Sequence, residues 1–394
     1  MQHTAPSTSI RKLESSSSRA RFFSNFVGYG TVAATLVMIG VFLLLPMGNI
    51  MIQAFRDADG FTLNYFSLLF QNELMMEAIF NSFLVALATT IACTILALPL
   101  AVIGAKVDFF GKPLLMGLLL TPMVMPPFVG AIGFHRFFAR YGSINLWLMD
   151  LNIISEPIEW LAEGNKFWAV VILGVMHLYP IMYLNLVAAL ANVDPSLEEM
   201  ATTLGVKRWR QFKDIVWPLA RPGYFAGAII VFIWSLTDLG TPLLIGFQDV
   251  IPVRIFNLVT DINENPVGFA LVFLVIVMTV GFFLISKSTL SGTKYDMMAR
   301  GHVTSSVRKA GFFSTILIYL GLILVILFAL FPHISVLITS ISHKWFMTPL
   351  PLEYTFEHYE KIFNQELPLT GIKNSIFLAS MSTLLDIVLG CLIA

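Results

Sequence analysis

Residues 194–223, DPSLEEMATTLGVKRWRQFKDIVWPLARPG, are the part of this chain whose residue types and spacing could do work. The segment is polar and lies between two long apolar runs. The chemistry it offers is non-covalent: an ordered amphipathic surface for a soluble partner to hold. Asp194 before Pro195 reads as a helix start, an N-cap acceptor followed by proline at the first helical position, where the missing N–H costs nothing. Ser196 with Glu199 offers a competing capping-box register. Leu197, Met200, Ala201 and Leu204 then fall at i, i+3, i+4 and i+7 as one apolar stripe, and Gly205 supplies a left-handed stop. A second short helix, Lys207 to Val216, puts Trp209, Phe212, Ile215 and Val216 near one face. It leaves Lys207, Arg208, Arg210 and Lys213 for lipid headgroups or an acidic partner. Pro218 and Pro222 are expected to end it and launch the next apolar run. An interfacial helix that only anchors the loop would carry the same pattern.

Other residues with chemical potential are few. Asp238 sits inside an apolar run, where a carboxylate is a candidate for a transport route, together with Thr241 and Tyr179. The competing reading is that Gly240 and Pro242 break the helix and Asp238 caps the break. His177 and Tyr179, just before Pro180, read as a hydrogen-bonded packing pair or as lining of a route. His135 and Arg136 mark the outer end of an apolar run, and Met116, Met123 and Met125 read as packing. Gly111-Lys112-Pro113 lacks the spacing and the Ser or Thr of a phosphate-binding loop, and no HExxH or GxSxG occurs. Catalytic residues, metal ligands and cofactors are therefore not expected.

The elements that must position these residues are membrane spans. Of the 394 residues 57% are hydrophobic and 12% charged, with 34 Phe, and the mean hydropathy is +0.80. A soluble domain carries about 25% charged residues. The zero net charge sums charges sorted by membrane face, and no nucleic-acid partner is expected. Cys93 and Cys391, both in apolar runs, read as small buried residues. Runs of about 20 apolar residues occur at 27–52, 77–104, 113–135, 167–191, 223–246, 266–286, 313–341 and 371–394. The third, with Pro122, Pro126 and Pro127, is expected to be broken. With the N-terminus in the cytoplasm, Arg11, Lys12, Arg19, Arg21, Lys106, Lys112, the basic residues of 194–223, Lys287, Lys294, Arg300, Arg308 and Lys309 all lie inside. These are about two thirds of the 24 Lys and Arg. The opposite loops are acidic, for example at Asp57, Asp150, Glu156, Glu163, Asp261, Glu264 and Glu357.

The stretch Phe70–Ala101 aligns with Phe363–Ala394 without a gap. Glu73/Glu366, Leu74/Leu367, Asn81/Asn374, Ser82/Ser375 and Thr90/Thr383 coincide, and polar identities are hard to obtain by chance in apolar sequence. Both copies run in the same direction. The expected organisation is a cytoplasmic tail (1–26), a first six-span unit (27–290), a cytoplasmic linker (291–312) and two spans of a second unit (313–394). The chain reads as a truncation of a longer two-unit protein, or as a natural eight-span one.

The order Glu199, Met200, Ala201, then Gly205 after three residues, then Ile215, Trp217 and Pro218 resembles the "EAA" loop of binding-protein-dependent ABC import permeases. That loop reads Glu-Ala-Ala, three residues, Gly, nine residues, Ile-x-Leu-Pro. Met200 and Trp217 depart from it while staying apolar. The proline-rich third run, Tyr141 to Asn145, and Asp238-Leu239-Gly240-Thr241-Pro242 are similar to the ferric-iron branch, whose members often fuse two permease units. The resemblance covers roughly residues 27–394. It implies an all-α polytopic membrane protein with the type I importer fold, in a bacterial inner membrane. Its expected partners are a cytoplasmic ABC ATPase dimer, an extracytoplasmic solute-binding protein and a second permease unit. Glu199, Met200, Ala201, Gly205, Ile215 and Pro218 would form the contact with the ATPase. Ferric iron is the implied solute, with thiamine, phosphonate and polyamine as alternatives within the family. An ion-gradient-driven transporter would instead carry inverted repeats and several intramembrane carboxylates.

Overall fold

The computed structural model describes residues 28–57, 59–259, 266–291 and 308–393. The expected N-terminal tail, most of the 291–312 linker, and Asp261 and Glu264 lie outside the described residues. Among the described residues the chain is almost entirely helical. Seven helices are long and apolar enough to cross a membrane, and a bent pair makes up to eight. The fold is an all-α polytopic membrane fold.

Two compact units are distinguished, 1–56 with 357–394, and 57–356. The first contains α1 (Gly28–Ala54), α15 (Glu357–Asn364) and α16 (Glu366–Ile393). Both long helices bury almost nothing, as apolar surfaces facing lipid can. Cys391 on α16 is exposed, which corrects the expectation that both cysteines are buried; Cys93 is buried as expected.

The second unit contains the remaining helices. They are α2 (Asn64–Gln71) and α3 (Glu73–Lys106), then the short α4 (Lys112–Leu118), α5 (Thr121–Val124), α6 (Pro127–Phe138) and α7 (Ser143–Asp150). After these come α8 (Glu163–Ala191), α9 (Pro195–Thr203) and α10 (Arg208–Thr237). The series closes with α11 (Gly240–Ile245), α12 (Ile251–Val259), α13 (Val267–Ser291) and α14 (Phe312–Ser340). Its core is the packing of α3, α8 and α10. Helix α8 is apolar on all sides and central, burying Leu173, Met176, Tyr179, Met182, Leu186 and Leu190. Lipid gives no hydrophobic drive for helices to associate, so close backbone approach matters. At the α8–α10 crossing a Cβ on Gly223 would lie 2.4 Å from that of Ala189, and one on Gly227 3.0 Å from that of Asn185. A second cluster joins Tyr65 and Leu69 of α2 to Ile251 of α12 and Ala270 and Leu271 of α13.

The third apolar run is broken as its prolines suggest. Residues Lys112–Val124 and Pro127–Asp150 are bent by 91°. Pro126 has no N–H for the Pro122 carbonyl four residues earlier, and Met123 bonds the Leu120 carbonyl instead of Leu119. Neighbouring α8 satisfies both freed acceptors. His177 Nδ1 donates to the Pro122 carbonyl at 3.0 Å, and the Tyr179 hydroxyl to that of Leu119 at 2.7 Å.

The expected separate helix at 207–216 and span starting at 223 are in fact one continuous helix, α10. Pro218 and Pro222 do not end it. A π-type turn at Phe212–Val216 closes with Trp217 N–H on the Phe212 carbonyl, so Pro218 falls in the first turn of the helix that restarts at Trp217, where no N–H is needed. The run expected to reach 246 ends at Thr237.

The sequence repeat is visible in the elements. Under the alignment that pairs Phe70 with Phe363, the ends of α2, Asn64 and Gln71, fall on the ends of α15, Glu357 and Asn364. The start of α3 at Glu73 falls likewise on the start of α16 at Glu366. Each copy is a short helix, a one-residue break and a long span beginning at the shared Glu-Leu pair.

Candidate functional site

The segment 194–216 folds as a compact helix pair. The Asp194 side chain accepts the Ser196 N–H at 2.9 Å, so the Asp-Pro start is used rather than the Ser196–Glu199 register. Gly205 adopts φ +74°, with its N–H on the Thr202 carbonyl at 2.9 Å and Val206 N–H on the Ala201 carbonyl at 3.0 Å, a Schellman termination. A Cβ at Gly205 would meet nothing within 4 Å. The position calls for glycine by its backbone angle and not by crowding.

The apolar stripe is divided between two directions. Ala201 is 5% exposed and turned into the protein, and Leu197 is half-buried. Met200 and Leu204 are 55% and 81% exposed, as is Trp209 at 74%. A polar helix pair that presents bare Met, Leu and Trp side chains offers a non-covalent contact surface. Glu199 stands exposed beside it, and Ile215 and Pro218 are half-buried in α10 behind it.

Three side chains hold this pair together and to the spans, and the sequence singles out none of them for that role. Lys106 at the end of α3 forms an ion pair with Glu198 of α9, both partly buried. Gln211 is buried and donates to the Thr202 hydroxyl at 3.1 Å and the Val206 carbonyl at 2.7 Å, tying the second helix to the Gly205 turn. A polar uncharged residue between Arg210 and Phe212 is the one sequence signal for it.

The candidate route residues lie at the two helix breaks. Asp238 has left the helix and its Oδ1 accepts the N–H of Gly240 at 3.0 Å and of Thr241 at 3.4 Å, capping α11. Thr241 is buried. Tyr179 is fully buried with its hydroxyl committed to Leu119, so it supports the broken span and offers no free hydroxyl. His177 stacks edge-on with Trp234 of α10, centroids 6.2 Å apart. His333 of α14 is buried beside Gly130.

On the opposite end of the bundle from the 194–216 pair, Asn145 organises the loop after the broken span. It donates to the carbonyls of Arg140 and Ile158 at 2.9 and 2.7 Å and accepts from Ile158 N–H and the Trp160 indole at 3.1 and 2.9 Å. Arg136 donates to the Trp345 carbonyl and lies over that indole ring, 4.9 Å from its centroid. The contact joins α6 to the segment after α14. Gly133 of α6 meets Pro332 of α14 backbone to backbone, and Ser335 donates to the Gly133 carbonyl at 3.0 Å.

Comparison with known proteins agrees with this architecture. Residues 97–291, which contain the helix pair and both helix breaks, match the family model described as "Binding-protein-dependent transport system inner membrane component". The chain is 28% identical over 382 residues to the ferric transport system permease protein FbpB of Actinobacillus pleuropneumoniae, covering 93% of this chain and 53% of that protein. It thus spans about half the length of the ferric transport relatives it matches. It is 31% identical over 257 residues to the spermidine/putrescine transport system permease protein PotB of Escherichia coli K12, covering 61% of this chain and 88% of that protein. A bacterial ABC transporter involved in import of alginate has the same fold, with TM-score 0.57 and 18% identity over 72% of this chain and 99% of that one. Matched in sequence from the end of α3 to α13, and in fold across nearly the whole of a solved importer chain, this protein belongs to the family of binding-protein-dependent transport system inner membrane components.

Proposed function

We propose that this chain is a transmembrane permease subunit of an ATP-driven ABC importer, in which α9 and the Gly205 turn are gripped by a cytoplasmic ATPase. The observation that carries the reading is the exposed Met200, Leu204 and Trp209 on a helix pair fixed to α3 through Glu198 and held together by Gln211. A grip must be bare on one side and rigidly held on the other. Glu199, Met200 and Gly205 belong to the contact itself, with Ala201, Ile215 and Pro218 as the packed base beneath it. Movement of α9 reaches α3 through the Lys106–Glu198 pair and α10 through its own continuous backbone, so ATP-driven motion of the grip is delivered to two of the three core helices.

In this reading the 194–216 pair and the N-terminus face the cytoplasm, and an extracytoplasmic binding protein delivers solute at the other face. A second permease unit completes the pathway. Ferric iron is the favoured solute, because the match to the FbpB proteins runs along almost the whole chain. The match to PotB keeps a polyamine as the second reading.

Gly205→Pro tests the docking directly. The proline ring locks φ at a negative value and cannot take the observed φ of +74°, whereas the spans do not depend on this turn for insertion. The variant is expected in the membrane at normal yield without its ATPase. Co-purification of the ATPase at the wild-type level would overturn the docking assignment.

A further inference from the structure

A groove of about 620 Å³ opens where α10 leaves the helix pair and runs beside α3. Its walls are of two kinds. Leu98, Phe212 and Trp217 are apolar, whereas Lys213 and Arg221 are cationic and exposed, and Trp209 stands at the mouth. The acid in the groove, Asp214, is already paired with Arg210 at 3.5 Å. Lys213 and Arg221 form no ion pair among the described residues. Across 207–221 five cations, Lys207, Arg208, Arg210, Lys213 and Arg221, face a single carboxylate.

Depth decides what can fill this groove. Leu98 lies eight residues before Lys106, the end of the α3 span, so the apolar wall reaches about 12 Å along that span at 1.5 Å per residue. Free phosphate has no use for such a wall. An acyl chain fits it, with the headgroup among the basic residues and indoles, the residue types that collect at membrane interfaces.

We propose that this groove is a binding site for one anionic phospholipid, its phosphate held by Lys213 and Arg221 and an acyl chain against Leu98. The lipid would sit beside the π-type turn at Phe212–Val216, where the helix pair joins the α10 span, and so tie that joint to the bilayer. The assignment does not depend on which soluble protein holds α9.

Native mass spectrometry of the purified full chain, exposed to equal phosphatidylglycerol and phosphatidylcholine, tests it. Two phosphate-contacting cations near a membrane surface correspond to a preference of roughly 10- to 30-fold for the anionic lipid. The Lys213→Gln/Arg221→Gln double variant is expected to lose that preference, and Lys213→Arg/Arg221→Lys to retain it, which separates charge from folding. Equal retention of the two lipids by the wild type, or an unchanged preference in the double Gln variant, would overturn the proposal. So would displacement of the lipid by millimolar inorganic phosphate, since that describes a free-anion site. Loss of ATPase association by the double Gln variant with lipid retention unaltered would also overturn it, by assigning the groove to the protein partner.

Discussion

Gly205 shows how little of the proposed grip depends on side-chain chemistry. Its φ of +74° costs an L-residue roughly 1–2 kcal/mol, and the Cβ itself would meet open space. Gly205→Ala is therefore expected to weaken the turn by about that amount, with partial loss of ATPase association measured by co-purification and full retention of membrane insertion. Lys106 and Glu198 act as a pair. Both are partly buried, so breaking the pair leaves a charge poorly compensated, and an exchange of the two restores it. Lys106→Glu is expected to reduce solute-stimulated ATP hydrolysis, and Lys106→Glu with Glu198→Lys to recover most of it; no recovery in the double variant would remove the pair from the coupling route. Asp238 caps α11 through Oδ1, and asparagine caps about as well as aspartate. Asp238→Asn is expected to keep both yield and transport. Normal yield with transport lost would show instead that the charge itself serves the solute.

At the scale of elements, the broken third run shows what composition can and cannot announce. Pro122, Pro126 and Pro127 declare a break, and the need to satisfy freed carbonyls in lipid follows from elementary hydrogen bonding. The partners come from a helix more than fifty residues later, and no local pattern marks His177 and Tyr179 as facing Pro122 and Leu119. Losing either donor leaves a buried acceptor unpaired at about 1–3 kcal/mol. Tyr179→Phe, which removes only the hydroxyl, is expected to lower the thermal unfolding temperature in detergent without altering the number of spans. Helix α10 is the converse case. Pro218 and Pro222 suggest a helix end, but a π-type turn at Phe212–Val216 shifts Pro218 into a first turn that tolerates it, and an i→i+5 turn leaves no signature in hydrophobic periodicity. The cap at Asp194 and the stop at Gly205 are legible because each rests on a single residue's backbone preference. The roles of Gln211 and Glu198 are not, because tertiary contacts set them.

For the whole molecule, the internal repeat gives the same order of short helix and long span twice, whereas among the described residues the helix pair of 194–216 occurs once. Apolar run length and repeat phase are readable in the sequence because the bilayer fixes the first and duplication the second. Arg136 on Trp345, and Gly133 on Pro332, are not readable, since they join residues far apart in the chain. The importer role proposed above requires that the bare apolar tip of the helix pair be held by an ATPase. Met200 and Leu204 are exposed, so glutamate at both costs the fold little while placing charge in a contact that must be desolvated. The measurement is the amount of ATPase subunit that co-purifies with the full chain carrying Met200→Glu and Leu204→Glu, relative to wild type at equal membrane yield. A fall of at least about tenfold is expected, from burying unpaired charge at an interface core; wild-type stoichiometry of the ATPase on the double variant would contradict the grip.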